Sequence, residues 1–272
     1  MGRMLNKNNR EKDILPFIKW MGGKTRIAEI IIPHFPKNYE NYFEPFIGGG
    51  AILLKVKPKK AIISDLNSEL INLWKVVQEY PSSLIKELEK HQSRHSQEYY
   101  YQARKIFNQK KRERKSISIQ SAGIFLYLNK TGFNHIYREN KKGEYNVPMN
   151  KWKMNLTHER INIMKASQYL WTNEIEIISQ DYKEIETTMG DFVYLDPPYD
   201  ETFNEYNSLG FSQVELKEFC DRLTMKGVKW LQSNNDTPYI RKLYQNYYIQ
   251  SIEVNRMFSS KQKDVIITNC RI

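Results

Sequence analysis

The sequence predicts an α/β fold built on a mostly parallel sheet, and three observations carry that reading. Short runs rich in Ile, Val, Tyr and Phe, bounded by turn or polar residues, recur before residue 66 and again after residue 173. Helical stretches separate most of these runs, and strand–helix alternation implies parallel strands joined by crossovers. The last two runs are joined by a polar loop alone, Asn255 to Asp264, which makes them an antiparallel pair at one end of the sheet.

The strand-like runs are Tyr39–Phe46, Ala61–Asp65, Glu174–Asp181, Asp191–Pro197, Val228–Asn234, Tyr247–Val254 and Val265–Asn269. Thr25–Pro33 reads as a helix, and so does Ser212–Lys226, whose Val214, Phe219 and Leu223 form one apolar face. Between Asp65 and Glu174 the texture changes. Leu66–Val77 and Ser82–Gln92 read as helices, Gln97–Arg114 is polar and basic, and Ala122–Leu128 is apolar. No strand alternation precedes the polar, glycine-containing segment from Asn134 to Val147. A mostly helical insertion is therefore expected, with 1–66 and 173–272 forming one domain and 67–172 the inserted one. There are no repeats and no low-complexity tract.

The 272 residues carry 42 Lys and Arg against 31 Asp and Glu, a net charge of +11. That balance suits a polyanionic partner, although many soluble proteins share it. Cys220 and Cys270 lie far apart, which argues against a disulfide scaffold or a thiolate metal site. His91 and His95 are one helical turn apart, as a metal pair would be, but no third ligand is near and they read as solvated surface residues. The N-terminus is polar and lacks an apolar signal core, and Asn6 stands where a myristoylation signal needs Ser or Thr. No apolar run approaches the ~20 residues of a membrane span. The expectation is a cytoplasmic protein with neither a metal nor a membrane partner.

Asp196-Pro197-Pro198-Tyr199 closes the apolar run from Asp191 to Leu195. Proline fixes φ and has no N–H, so carbonyls before and within the pair remain as outward acceptors. The result is a rigid ledge with one carboxylate, a carbonyl and a flat ring. The exocyclic amino group of a base needs two acceptors for its N–H bonds and a surface to stack on, and Asp196, the Pro197 carbonyl and Tyr199 supply them. A plain strand end followed by a proline turn fits the same residues.

Glu44-Pro45-Phe46-Ile47-Gly48-Gly49-Gly50-Ala51 reads as strand end, glycine turn and helix start. Glycines let a backbone approach a ligand closely, although a simple tight turn uses them too. The acidic strand end Asp65 follows at close to the ~20 residues expected of a ribose-binding carboxylate. The pyrophosphate-binding Gly-x-Gly-x-x-Gly is absent, which favours a nucleoside cofactor without phosphates over a dinucleotide. Gly23-Lys24-Thr25 is not a nucleoside-triphosphate loop, because Ile18 stands where its first glycine is required.

Lys-Trp-x-Gly-Gly-Lys at Lys19–Lys24, Glu-Pro-Phe-x-Gly-x-Gly at Glu44–Gly50, Ser-Asp-Leu-Asn at Ser64–Asn67 and Asp-Pro-Pro-Tyr at Asp196–Tyr199 occur in one order along nearly the whole chain. In these motifs the sequence resembles the Dam-type DNA adenine-N6 methyltransferases, which use S-adenosylmethionine. The resemblance implies a Rossmann-like seven-stranded methyltransferase sheet with an inserted, mostly helical target-recognition domain. It implies methyl transfer from a sulfonium to adenine N6, with Asp196 and the Pro197 carbonyl holding the amine, Tyr199 stacked on the base, and the base flipped out of the duplex.

For the cofactor, Asp65 would take the ribose hydroxyls, and Gly48 and Gly50 would admit the methionine part. The resemblance adds Phe46 of the same motif, Trp20 over the methionine part, Lys24 on its carboxylate, Asp181 and Tyr182 at its adenine, and Asp196 beside it. Core packing for Trp20, a solvated helix start for Lys24 and a strand-to-turn acid for Asp181 are the plainer alternatives. For DNA, Lys19 would read a guanine at the edge of the site. Asn134, Ile136 and Arg138 resemble one arm of the family's recognition hairpin, and Glu144–Pro148 its second arm. There Arg138 would bond guanine, and Ile136 and Pro148 would touch thymine methyls. His135 stands where glycine is expected. An unremarkable polar hairpin fits the same residues. Lys110, Lys111, Arg112, Arg114 and Lys115 would contact phosphates or form a solvated face, and Phe258-Ser259-Ser260-Lys261 would line the path of the flipped base. A monomer acting on double-stranded DNA, with GATC as its site, is the expectation. Cytosine-N4 methylation, RNA methylation and non-catalytic DNA binding are the competing functions. An acid rather than serine at position 196, with the N-terminal motif before the glycine motif, argues for adenine.

Overall fold

The computed structural model describes residues 13–115, 117–150, 155–199, 211–254 and 262–270. Two compact units form: one drawn from Lys24–Ile47, Pro58–Leu66 and Ile175–Ile272, the other from Met1–Gly23, Gly48–Lys57 and Asn67–Glu174, each as far as it is described.

The first unit is built on a seven-stranded sheet. Its strands are β1 (Tyr42–Glu44), β2 (Lys60–Asp65), β3 (Glu174–Ser179), β4 (Phe192–Leu195), β5 (Lys229–Asn235), β6 (Tyr248–Val254) and β7 (Gln262–Thr268), in the order β3-β2-β1-β4-β5-β7-β6. β1 runs parallel to β2 and β4, and β4 to β5. β7 runs antiparallel to both β5 and β6. The expected strands and the terminal antiparallel pair are present, and β7 lies inside the sheet with β6 at its edge. The strands expected over Tyr39–Phe46 and Asp191–Pro197 end earlier, before Pro45 and Pro197, because proline cannot donate to the ladder.

All four residues of β4 are buried, as a central parallel strand covered on both faces requires. On one face Leu216, Phe219, Cys220 and Leu223 of α8 (Gln213–Met225) and Ile240 of α9 (Pro238–Leu243) pack on Phe43, Val193, Leu195, Trp230, Val265 and Ile267. Val214, expected on the apolar face of that helix, is exposed, and Leu216 and Cys220 take its place. Aromatic rings cover the other face, with Phe35 against Phe192 at 4.6 Å between centroids and Tyr39 beside Tyr42. The helix expected over Thr25–Pro33 is a short α1 (Ala28–Ile31) that tightens into a 3₁₀ turn over Ile32–His34, where Pro33 removes a donor.

The second unit is helical: α2 (Ala51–Val56), α3 (Ser68–Glu79), α4 (Pro81–Ser93), α5 (Gln97–Arg112), α6 (Ile119–Thr131) and α7 (Leu156–Thr172). α6 is its centre. It is buried on every side from Ser121 to Thr131 and packs on α3, α4 and α5, as a helix without a polar face must. Asn67, Ser96, Ser118 and Asn155 cap the first turns of α3, α5, α6 and α7 through their side chains. The basic stretch from Gln97 forms α5, which buries only Tyr100, Ala103 and Phe107. α7 is an addition to the sequence reading. His91 and His95 are not the solvated pair expected: His91 is buried with Nδ1 2.7 Å from the Tyr99 hydroxyl, and His95 Nδ1 lies 2.9 Å from that of Tyr127.

Candidate active site

In the sheet unit the strand order reverses between β1 and β4, and parallel sheets hold ligands beyond the carboxyl ends of strands at such a point. Glu44 ends β1, Asp65 ends β2 and Asp196 follows β4 directly. The register pairs Leu195 with Gln232, so Asp196 comes level with Ser233 on β5. Ser233 Oγ donates to Asp196 Oδ1 at 3.0 Å, and the Tyr194 hydroxyl lies 3.1 Å from the same Ser233 oxygen.

Lys24 reaches the same carboxylate. Its Nζ is 2.5 Å from Asp196 Oδ1 and 4.6 Å from the centroid of the Tyr199 ring. Lys24 is 5% exposed and Asp196 18%. Burial opposes the Lys24 charge, but Asp196 and Tyr199 overcome it and hold the ammonium above its ordinary pKa. Burial raises the Asp196 carboxyl above the usual range, while Lys24 and Ser233 pull it back. Lys24 is thus neither a solvated helix start nor a free cation.

The ledge after β4 is braced from below. Gln213 Nε2 donates to the Pro198 carbonyl at 2.8 Å, and Asn234 Nδ2 donates to Gln213 Oε1 at 3.1 Å. The second proline carbonyl is therefore engaged. The Pro197 carbonyl accepts no hydrogen bond from the described residues. The Tyr199 ring is 8% exposed. Ser233, Gln213 and Asn234 carry no motif: the register of β5 against β4 brings in Ser233 and Asn234, and the start of α8 brings in Gln213.

Asp181 caps the 3₁₀ turn Tyr182–Glu184, accepting from the Lys183 N–H at 2.9 Å. The Tyr182 ring is buried, 5.2 Å from Phe46 and 5.3 Å from Phe219. These rings form an aromatic floor next to an acid.

The helical unit holds the glycines Gly48–Gly50 and the N-terminal motif as far as Gly23. Gly48 has φ +46°, and a Cβ there would lie 2.7 Å from Trp20 Cδ1. Gly50, at φ 68°, starts α2 in the left-handed region, where an L side chain is unfavourable. The close approach that requires Gly48 is thus made by Trp20, while Trp74 Nε1 donates to the Gly48 carbonyl at 3.0 Å. Trp20 also stacks on Tyr137, with centroids 5.5 Å apart.

The segment from Gly132 to Met149 forms the expected hairpin. Glu139 pairs with Tyr145 and Gly132 with Met149 in antiparallel bridges, and the Asn146 N–H donates to the Arg138 carbonyl at 3.1 Å. Asn134 and Pro148 are exposed, and Ile136 and Arg138 half-buried. His135 has φ 55°, a conformation that suits glycine, and its Nδ1 lies 3.2 Å from the Asn129 carbonyl. Asn129 Nδ2 donates to the carbonyls of both Lys19 and His135, at 2.9 and 3.0 Å. It thereby brings Lys19 to the hairpin base, a link no sequence motif announced. Lys111 and Arg112 do not form a free basic face: Lys111 pairs with Glu139, and Arg112 with Glu144 at 2.5 Å. Phe258–Lys261 lies outside the described residues.

Among the described residues no group of three or more His, Cys, Asp and Glu could hold a metal ion, and no helix is long and apolar enough to cross a membrane.

Comparison with known proteins fits this geometry. The chain is 36% identical over 282 aligned positions to the type II methyltransferase M1.LlaDCHI of Lactococcus lactis subsp. cremoris, covering 98% of each chain. It is 33% identical to the type II methyltransferase M.MjaIII of Methanocaldococcus jannaschii, covering 92% of this chain and 94% of the relative. It is 31% identical to the DNA adenine methylase of Escherichia coli K12, covering 90% and 89%. Residues 20–258 match the model of the D12 class N6 adenine-specific DNA methyltransferases, and the chain belongs to that family.

Proposed function

We propose that this adenine-N6 DNA methyltransferase takes its methyl group from S-adenosylmethionine and acts on a flipped adenine within GATC in double-stranded DNA. The observation that carries the reading is the Asp196 ledge, held at the carboxyl end of β4 beside the strand-order reversal. The amine of adenine is a poor nucleophile because its lone pair is delocalised into the ring. Asp196 and the Pro197 carbonyl would accept its two N–H bonds and favour a tetrahedral nitrogen with a usable lone pair. Tyr199 would stack on the base. The rest is positioning and electrostatics.

The donor set suits a nucleoside cofactor without phosphates. The Phe46–Tyr182 floor beside Asp181 would receive an adenine, and Asp65 at the end of β2 would accept ribose hydroxyls. The resemblance assigns Trp20, Gly48 and Gly50 to the methionine part; Lys24, which the resemblance also places there, is engaged by Asp196 in this structure. When bound, that cofactor supplies an electrophilic methyl on a sulfonium. On the DNA side, Lys19 and the hairpin residues Asn134, Ile136, Arg138 and Pro148 would read the site.

The test is methyl transfer from labelled S-adenosylmethionine to GATC duplexes and to single-base variants, followed by nucleoside analysis. N6-methyladenine in GATC alone is expected. Equal labelling of duplexes lacking GATC would overturn the site, and label in cytosine would overturn the adenine reading.

A further inference from the structure

We propose that Lys24 and Ser233 are positioning residues that anchor one oxygen of the Asp196 carboxylate, Oδ1, and so dedicate the other, Oδ2, to the amino group of the target base. The inference rests on the function proposed above and assigns Lys24 a partner other than the cofactor.

Both contacts fall on one oxygen: Lys24 Nζ lies 2.5 Å and Ser233 Oγ 3.0 Å from Oδ1. Among the described residues nothing donates to Oδ2. Ser233 spends its single proton on Oδ1, so the Tyr194 hydroxyl, 3.1 Å away, must be the donor of that second bond. The serine is thereby oriented from behind by a buried ring. Lys24 is fixed in its turn, because its carbonyl accepts the N–H groups of Ile27 and Ala28 at 3.0 and 2.8 Å. An ammonium only 5% exposed is costly unless paired, and Asp196 is its ion-pair partner.

A carboxylate with two equivalent oxygens can turn about its Cβ–Cγ bond and present either. With Oδ1 held by a cation and a hydroxyl, the plane of the group is set and a single acceptor faces the site. One N–H of the amine then goes to Oδ2 and the other to the Pro197 carbonyl. Burial raises the carboxyl's pKa, and the same cation pulls it back down. The groups that face this cluster are Lys24 and Tyr199 from the flanking segments, Tyr194 on β4, Ser233 on β5, Asp264 on β7, which acts on Tyr199, and Glu44 on β1, which acts on Tyr194. Of these Lys24 is the cation, so its loss leaves burial to raise the carboxyl further.

The experiment measures kcat and both KM values from about pH 5.5 to 9.5 for the wild type, Lys24→Met, Lys24→Arg and Ser233→Ala. Lys24→Met is expected to lower kcat at neutral pH at least about tenfold and to move the acid limb up by about one pH unit or more, since one unit is a tenfold loss on that limb. The KM for S-adenosylmethionine should change by less than about threefold, a change under ~0.7 kcal/mol. Lys24→Arg should restore most of the limb, and Ser233→Ala should displace it by less in the same direction. An unmoved limb with a raised cofactor KM would show that Lys24 serves the cofactor and would overturn the proposal while leaving the function intact. A wild type that transfers no methyl to any DNA would overturn both. If Lys24→Met folds poorly, thermal unfolding in a cycle with Asp196→Asn decides: a smaller Tm loss from Lys24→Met in the Asp196→Asn background is expected, and equal losses in both backgrounds would overturn the pairing.

Discussion

Arg138 and Asn146 face each other across the hairpin, Arg138 Nε donating to Asn146 Oδ1 at 2.8 Å. This bond uses Nε of the guanidinium, and the proposed readout would place Nη1 and Nη2 on guanine O6 and N7. Arg138→Ala is therefore expected to relax sequence choice rather than simply lower affinity, losing roughly 1–3 kcal/mol of discrimination. Asn146→Ala should produce a smaller loss in the same direction, since it frees a side chain that remains present. Methylation of GATC duplexes against single-base variants at fixed salt measures both. Equal discrimination by wild type and Arg138→Ala would remove Arg138 from readout.

The hairpin is gripped by α5. Asn108 exchanges two bonds with the backbone of Tyr145, accepting from its N–H at 2.8 Å and donating to its carbonyl at 3.0 Å, as a neighbouring strand would. Arg104 Nη1 donates to the carbonyls of Asn146 and Val147 at 3.3 and 3.1 Å. Asn108→Ala is expected to destabilise the fold by about 1–3 kcal/mol, because it leaves two backbone groups without partners. It should also blunt discrimination, although Asn108 reads no base. Urea unfolding alongside the duplex assay checks this. A stable variant with wild-type discrimination would show that the hairpin needs no clamp.

The sheet was legible because strands are local: each apolar run between turn residues formed one, and the missing helical crossover between the last two showed their antiparallel pairing. The position of Asp196 at a strand end was legible because proline cannot donate to the ladder, so β4 stops before Pro197. What escaped was set by register and tertiary packing. Ser233 meets Asp196 only because Leu195 pairs with Gln232, and Asn129 ties Lys19 to His135 only because α6 is the buried centre of its unit. The basic run after Lys110 read as a solvated or phosphate-binding face, since Glu139 and Glu144, which engage Lys111 and Arg112, lie far away in sequence. Trp20 shows the same limit. The glycines were expected to make room for a ligand, and Gly48 makes room for Trp20.

Gly48→Ala tests that packing. The new methyl would meet Trp20 Cδ1 at 2.7 Å on a backbone with φ +46°. Overpacking of this kind costs typically about 1–3 kcal/mol, and the left-handed backbone adds about 1–2 kcal/mol. A lower Tm is expected, together with a change in Trp20 fluorescence that Trp20→Phe abolishes. An unchanged Tm would mean that the turn relaxes without strain.

Asp65 ends β2 in the sheet unit. Asp65→Ala is expected to weaken S-adenosylmethionine binding by on the order of 1.5–3 kcal/mol, the worth of charge-assisted bonds to two hydroxyls, and to leave DNA affinity nearly unchanged. Calorimetry with the cofactor or its demethylated product measures the first, and a duplex titration the second. Equal cofactor affinity in both proteins would remove Asp65 from the site.

His91 gives the stability of the helical unit a pH dependence whose sign follows from burial. Its ring stacks on Tyr127 with centroids 5.1 Å apart, its Nδ1 meets the Tyr99 hydroxyl, and its Nε2 is buried without a hydrogen-bond partner among the described residues. Burial pushes its pKa down from 6.5 to about 4, with Arg94 and Lys90 acting in the same direction and Glu87 against them. The folded-state value lies below the unfolded one, so between these values the unfolded chain binds more protons and stability rises with pH. The contribution is complete above about pH 6.5 and is lost as pH falls toward 4, a total of about 3 kcal/mol at ~1.4 kcal/mol per unit. Urea midpoints at about pH 7 and 4.5 should differ more for the wild type than for His91→Phe, which keeps the ring and removes the titration. Other histidines with lowered values, His34 and His135, contribute equally to both proteins and cancel in the comparison. The same pH dependence in His91→Phe would show that His91 is not the titrating group.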